Sequence, residues 1–574
     1  RTPTRAPNRG RSARPQAAQI ACPDLHGSNR RDPATPQAAT RTPAAVCAMA
    51  SLPESKRRRT RPDKFSEHPQ ATNREEELYQ LAVANSRLET QRVTQKEYPI
   101  PAAPTYRPTL AEFLDPLAYI EAIRAEAEPH GICKIVPPDG WSMPCAVDWE
   151  SEKRFSTKRQ RVDRLQESRP FGDGKKYTVK EYQAMADDFF AKWLAAKHAP
   201  KASPEGAPPP PPLSGAALYA ALEEDYWDAV DRGAEAVEVE YGNDVDVHEF
   251  WSGFPKPDGD RADLSVAKLE GVPYASDAYY AATGWNLNNI ASWPGSVLRH
   301  FTVSVPGVTS PWLYLGMLFS TFSWHNEDNY LSSINYHHVG GPKQWYGVPG
   351  EKASAFENVV RRFYKQRLQE VPDLLHHMNT QFSPSKLAAH GVPVYKLVQE
   401  PGTFVVTFPQ AFHSGFSYGF NCGEAVNFAM PHWIEHAKLA NERYRRIGRL
   451  AVLGHDRLIF TLARYVDELD ADACVMLRDE LKRLVREDVV SRARLYADGV
   501  RDISSVVAPP KNNTDVIDAA ACDYDDKRIC AVCRHTCFLS AVACNCSQTT
   551  VCCLRHVNYL CKCPPANKYL IEWE

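Results

Sequence analysis

The stretch FSTFSWHNEDNYLSSINYHHVGGPKQW, residues 319–345, decides how the chain is read. In a short and largely apolar run it holds His325, Glu327, Asp328, His337, His338 and Lys343, side chains that a purely structural core excludes. His325 and Glu327 are two apart, and on an extended strand residues i and i+2 point to one face, so an imidazole and a carboxylate converge. The segment TFPQAFHSGFSYGFNCGEAVNF, residues 407–428, offers His413 at the end of a second candidate strand. Two histidines and one carboxylate on one face of a metal, with the other positions open, form the facial triad that suits non-haem Fe(II) and dioxygen. A lone His-x-Glu pair recurs without any metal, so the neighbours have to argue the case. Ser333 and Asn335 follow on one face of the next strand, and Lys343 lies beyond them. A lysine in so aromatic a segment needs either an anion, for which a dicarboxylate would serve, or a route by which its stem snorkels to the surface.

The remainder of the chain sets the context. Its 574 residues, 43% of them hydrophobic, are too many for one core and imply three or four units at about 150 residues each. Sixty-eight basic against 70 acidic residues leave a net charge of -2, so overall charge selects no class of partner. The longest apolar stretch, PWLYLGMLF (311–319), is shorter than the roughly 20 residues of a bilayer-spanning helix, and no secretory signal opens the chain. We therefore expect no membrane partner and read the chain as soluble and intracellular. It opens on Arg1, and MASLPESKRRRTRP from Met49 reads as a plausible start.

Residues 1–95 have the composition of a disordered, basic and proline-rich tail. Within it KRRRTR (56–61) fits a nuclear address, a nucleic-acid contact or a solvated charge run. In residues 97–138 Thr109 is expected to cap a helix carrying Phe113, Leu117, Ile120 and Ile123 at helical spacing, followed by a strand near 132–136. Residues 139–199 read as a charged helical segment, with helices near 148–167 and 179–196. Residues 200–215, with five consecutive prolines, read as an extended linker. Short apolar segments between turn residues over 218–433, such as GTFVVTFP (402–409), suggest an antiparallel sandwich or barrel, and the pattern turns helical from 434 to 501. Nine of the 16 cysteines lie between Cys530 and Cys563, which without an export signal points to metal rather than disulfides. Cys530 and Cys533, Cys544 and Cys546, Cys553 and His556, and Cys561 and Cys563 give eight ligands for two tetrahedral zinc ions. Such closed sites are structural, and the modest charge of the segment demands no nucleic-acid contact.

The segments FSWHNEDNYLSSINYHHVGGPKQWYGVPG and FPQAFHSGFSYGFNCGEAVNF resemble the two core motifs of the JmjC histone lysine demethylases. Residues 97–138 resemble the JmjN segment of that family. The cysteine cluster is similar to the five-cysteine, one-histidine, two-cysteine finger that follows JmjC in one branch, where the positions of Cys537 and Cys552 are not ligands. The resemblance spans about 97–170 and 235–574. It implies a mixed α+β multidomain chain: JmjN at 97–138, a cupin-like double-stranded β-helix (JmjC) in 216–446, a helical domain in 447–520 and a two-zinc finger in 530–574.

It also implies Fe(II), 2-oxoglutarate and two Zn(II) as cofactors, with His325, Glu327 and His413 as iron ligands. Asn335 and Lys343 match cosubstrate-binding positions, with Lys343 and Tyr241 sharing the distal carboxylate. Phe322, Ser333, Trp345 and Asn427 match pocket-lining positions, and Tyr314 an aromatic beside the methylated lysine. Ala425 and Val426 match the Ala-Val of the histone H3 lysine 4 branch, where relatives acting on lysines 9 and 36 carry Ser-Thr. The implied activity is hydroxylation of an N-methyl group, with release of formaldehyde and succinate. The implied partners are the histone H3 tail or nucleosome in the nucleus, with chromatin complex subunits and DNA as further contacts to test. Demethylation at lysine 9, 27 or 36, protein hydroxylation, and a chromatin-binding scaffold without catalysis remain as alternatives. The interval between JmjN and JmjC has no cysteine pair, so the DNA-binding and zinc-reader modules of many relatives are not expected there. Three departures stand out: His337 where relatives carry an apolar residue, Val339 for an aromatic and Gly423 for an alanine. His337 shares the face of Ser333 and Asn335 and is read as a hydrogen-bonded filler.

Overall fold

Residues 98–573 are described by the computed structural model, apart from 200–210, 234, 257–262, 302–303, 371–378 and 507–527, together with residues 80 and 84. The basic run at 56–61 and most of the proline linker lie outside the described residues.

The first module consists of β1 (Thr105–Tyr106), α1 (Pro116–Ala127) and β2 (Ile132–Ile135). Asp115 caps α1 by accepting from the backbone N–H groups of Leu117 and Ala118. Thr109 was the expected cap, but Pro116 is preorganised for the first helical position, and Thr109 instead bonds Glu112 in the short turn ahead of it. Phe113, Leu117 and Ile120 are buried, as their spacing requires.

Residues 139–199 are not wholly helical. After β3 (Phe155–Arg161) and β4 (Gly172–Tyr177), α2 (Val179–Lys197) forms, closed at its start by a capping box of Thr178 and Glu181. The stretch 148–167 was expected to be a helix. Phe155, Thr157 and Gln160 instead face inward from β3, which lies between β4 and β5 (Glu238–Asp246) in the sheet, while its lysine and arginines face solvent. A further helix, α3 (Gly215–Arg232), opens the region expected to be all strands and buries Leu222, Tyr226 and Val230 against the barrel.

The barrel follows: β6 (Trp312–Gly316), β7 (Thr321–His325), β8 (Ser332–Gly340), β9 (Lys343–Val348), α4 (Ala353–Phe363), β10 (Tyr395–Gln399), β11 (Phe404–Thr407), β12 (Phe412–Ser417) and β13 (Asn421–Phe428). One sheet has the order β1-β2-β11-β8-β13-β6-β5-β3-β4 and the other β10-β9-β12-β7. Apart from the parallel β1–β2 pair, all neighbours are antiparallel, and together the two sheets form the cupin-like double-stranded β-helix. The first module is part of it, because β2 pairs with β11 in register Phe404 to Ile135.

Beyond the barrel lie α5 (Trp433–Ile447), α6 (His455–Leu462) and α7 (Ala471–Ala497). The expected helical segment 447–520 also contains a strand, β14 (Asp502–Val506), which pairs in parallel with β17 (Lys568–Trp573) and so belongs to the cysteine-rich sheet with β15 (Ser540–Cys544) and β16 (Ser547–Cys552). Pairing along the edge of Lys568–Trp573, rather than any alternation in the sequence Asp502–Val506, makes the strand.

Candidate metal and cosubstrate site

β7 ends at His325, and the chain stays extended at Glu327 (φ -68°, ψ 153°), so the i, i+2 relation holds just past the strand. β12 runs antiparallel to β7 and sets His413 directly opposite His325. The ligand atoms of His325, Glu327 and His413 all lie within 4.8 Å of one another, with His413 Nε2 3.4 Å from Glu327 Oε1. Each imidazole donates Nδ1–H to a carbonyl two residues back, His325 to Ser323 at 2.7 Å and His413 to Ala411 at 3.2 Å. That fixes both tautomers and makes Nε2 the ligating nitrogen of each ring. The donor set and its spacing fit one divalent transition metal with open positions.

The turn after Glu327 is anchored from outside the barrel. Asn329 and Tyr330 have φ of 53° and 56°, a left-handed conformation that costs about 1–2 kcal/mol per non-glycine residue. Asn329 donates its N–H to Tyr444 Oη (2.9 Å) and its Nδ2 to Leu453 O (3.0 Å), and accepts from Trp433 Nε1 (3.0 Å). Arg449 pairs with Asp328 at 2.8 Å. Helix α5 and the residues after it thus hold the backbone next to Glu327.

Along β9, Lys343, Trp345 and Gly347 share a face, and Gly347 is paired with His413, so Lys343 and Trp345 look into the same interior as the triad. Lys343 is 2% exposed and forms no hydrogen bond or ion pair among the described residues. Its Nζ lies 5.7 Å from the ring centres of both Tyr241 and Tyr314. Burial pushes its ammonium down to about 8 and pushes the Tyr241 phenol up. The snorkelling alternative is therefore excluded, and the site presents one buried cation in want of an anion. The Phe322 and Trp345 rings meet at a tilt, 4.6 Å between centres, and Trp345 stacks on the His413 ring at 6.1 Å. Tyr314 donates to Asp244 at 3.2 Å.

Two buried residues with no signal in the sequence hold this wall. Gln399 donates to Asn335 Oδ1 (3.1 Å) and accepts from Trp345 Nε1 (2.9 Å), while Thr407 bonds Ser333 Oγ at 2.6 Å. Asn427 donates to Ser332 O at 3.1 Å.

Two expectations are corrected. Val426 does not face the site: it pairs with Ile334 on the opposite face of the sheet and packs in the cluster of Phe113, Phe404 and Val406. Only Ala425, paired with Asn335 and partly exposed, looks inward, because side chains alternate along β13. His337 is not a hydrogen-bonded filler. It is fully buried, and neither ring nitrogen has a hydrogen-bond partner among the described residues. Burial, with Lys343 next in effect, holds it well below the usual imidazole range, so the ring is neutral.

In the cysteine-rich region Cys530, Cys533, Cys553 and His556 form one group and Cys544, Cys546, Cys561 and Cys563 a second. Each matches a closed tetrahedral zinc site. Cys537 and Cys552 belong to neither group and are buried, and burial pushes the Cys552 thiol up to about 12. Arg445 of α5 reaches Cys553 Sγ at 3.7 Å, and Arg555 bonds Glu442 on the same helix.

Residues 312–428 match the family described as "JmjC domain, hydroxylase", residues 104–137 the jmjN domain and residues 530–574 the C5HC2 zinc finger. All three domains are thus matched in this one chain. It is similar to the putative lysine-specific demethylase JMJ16 of Arabidopsis thaliana, 35% identical over 84% of this chain and 44% of that protein. It is also similar to lysine-specific demethylase JMJ703 of rice (Oryza sativa subsp. japonica; 35%, 80% and 39%) and to lysine-specific demethylase 5B of chicken (Gallus gallus; 40%, 60% and 21%). The chain spans less than half the length of these curated relatives.

Proposed function

We propose that the chain is an Fe(II)- and 2-oxoglutarate-dependent histone lysine demethylase that acts in the nucleus, with methylated lysine 4 of histone H3 as its preferred target. The reading is carried by one barrel interior that combines the His325, Glu327 and His413 triad with the buried, unpaired Lys343. When bound there, Fe(II) supplies dioxygen activation coupled to decarboxylation of 2-oxoglutarate. The protein's own task is positioning and exclusion of water, because this chemistry needs no protein base. Lys343 and Tyr241 orient the distal carboxylate, Asn335 with Gln399 behind it fixes one wall, and Phe322 and Trp345 keep water from the reacting centre. One oxygen atom of dioxygen goes to succinate and the other to the N-methyl carbon, which leaves as formaldehyde.

At the mouth, Tyr314 and Ala425 flank the methylammonium. The lysine 4 assignment rests on two separated features: the small apolar Ala425, in place of a hydroxyl group, and the finger at 530–574. A panel of histone H3 peptides methylated at lysine 4, 9, 27 or 36, at equal concentration with iron and 2-oxoglutarate, tests both levels. Fastest methyl loss at lysine 4 is expected. Faster loss elsewhere refutes the site assignment, and a stable gain of oxygen in place of methyl loss makes the enzyme a hydroxylase.

A further inference from the structure

We propose that His337 is a second recognition residue for the distal carboxylate of the cosubstrate, acting beside Lys343. The proposal deepens the cosubstrate reading above and rests on it.

Position comes first. Ser333, Asn335 and His337 alternate along β8, and their partners across β13 are Asn427, Ala425 and Gly423. Directly opposed residues of an antiparallel pair project from the same face. A Cβ added at Gly423 would lie 3.6 Å from Lys343 Nζ and 3.7 Å from Asn335 Oδ1, so this face looks onto the buried ammonium. The ladder is irregular only after His337, where one step on β13 spans two on β8. The extra residue, His338, reaches Glu424 at 3.1 Å, and that carboxylate also accepts from Ser252 Oγ and Gly253 N–H. His338 is thereby engaged elsewhere, and His337 is the imidazole left on the Lys343 side.

The second observation is the missing partner. Both ring nitrogens of His337 are buried without a hydrogen-bond partner among the described residues. Buried polar groups in folded proteins are overwhelmingly paired, so an imidazole left unpaired in a site that receives a ligand is expected to find its partner there. Two unpartnered groups, an ammonium and a neutral imidazole, therefore face one volume. A carboxylate has about four lone-pair directions, enough for the Lys343 ammonium, an imidazole N–H and the Tyr241 hydroxyl together. The absence of a side chain at Gly423 leaves room for the ring beside Lys343. The site accordingly selects a 2-oxo dicarboxylate over a ligand that chelates the metal but lacks the distal group.

The test is calorimetric titration of the full chain, loaded with Mn(II) to prevent turnover, with 2-oxoglutarate and separately with oxalate, which chelates the metal but cannot reach the distal end. His337→Leu is expected to weaken 2-oxoglutarate binding about tenfold and leave oxalate binding unchanged, and His337→Gln, which keeps a donor, is expected to recover most of the loss. Unchanged 2-oxoglutarate affinity in His337→Leu, or equal weakening of both ligands, overturns the proposal. Lys343→Ala separates the two levels. If it weakens 2-oxoglutarate binding while His337→Leu does not, only the role of His337 fails. If the parent protein binds no 2-oxoglutarate, or Lys343→Ala changes nothing, the cosubstrate reading fails and this proposal with it.

Discussion

Lys343→Met keeps most of the side chain's apolar stem and removes its charge, so it separates what the ammonium costs the empty barrel from what it contributes to binding. Burial lowers the Lys343 ammonium from its ordinary 10.5 to about 8, which corresponds to about 3 kcal/mol of destabilisation where the group is charged. The folded-state value lies below the unfolded one, so the unfolded chain binds more protons between the two. Stability therefore rises with pH from about 8 to 10.5, and the full penalty is present below about 8. Other titrating groups are common to both proteins and cancel in the difference. With metal but no cosubstrate, Lys343→Met is expected to unfold several degrees higher than the parent near neutral pH, with the gap closing towards pH 10. Added 2-oxoglutarate should close most of the gap: at a hundredfold excess over Kd it stabilises the parent by about 2.7 kcal/mol and the variant far less. Thermal unfolding across pH, with and without cosubstrate, measures both effects. A variant less stable than the parent at neutral pH, or a gap that persists at pH 10, would refute the view that Lys343 is an uncompensated buried cation.

Three other outcomes follow from the geometry. His413→Ala removes one of three ligands and should abolish formaldehyde release and tight Co(II) binding, read by absorption, while the circular dichroism spectrum stays close to that of the parent. Cys546→Ser should lose one of two zinc ions by metal analysis and loosen the C-terminal region, since zinc binding contributes roughly 10–16 kcal/mol to the folding of isolated fingers; Cys537→Ser, outside both groups, should retain two. Gly415→Ala would put a Cβ 2.0 Å from the Gln344 carbonyl oxygen and 2.5 Å from the Phe322 ring, forcing β12 from β9 beside His413, and should cost about 2 kcal/mol or more in denaturant unfolding.

The candidate site was legible because its chemistry is written in strand periodicity. His325 and Glu327 at spacing two, Ser333, Asn335 and His337 at the same spacing, and a lysine among aromatics leave few structural explanations. The zinc groups were legible for a similar reason, since paired cysteines at short spacing constrain one another locally. What failed depended on partners distant in sequence. β3 is a strand because β4 and β5 flank it, a fact absent from its charged sequence. Val426 was placed at the site by its motif, although the alternation that carries Ala425 inward turns Val426 to the other face. Gln399 and Thr407 hold Asn335, Trp345 and Ser333 through side-chain bonds that no local spacing encodes. The anchoring of the turn after Glu327 by Tyr444 and Arg449 likewise appears only once α5 is packed against it.

The most direct test of the central claim is mass spectrometry of a histone H3 tail peptide trimethylated at lysine 4, incubated with the full chain, Fe(II), ascorbate and 2-oxoglutarate, with formaldehyde and succinate counted in the same reaction. The expected result is stepwise loss of methyl groups, one formaldehyde and one succinate per methyl removed, and none of these with Glu327→Ala. An unchanged peptide, or methyl loss that persists in Glu327→Ala, would contradict the account.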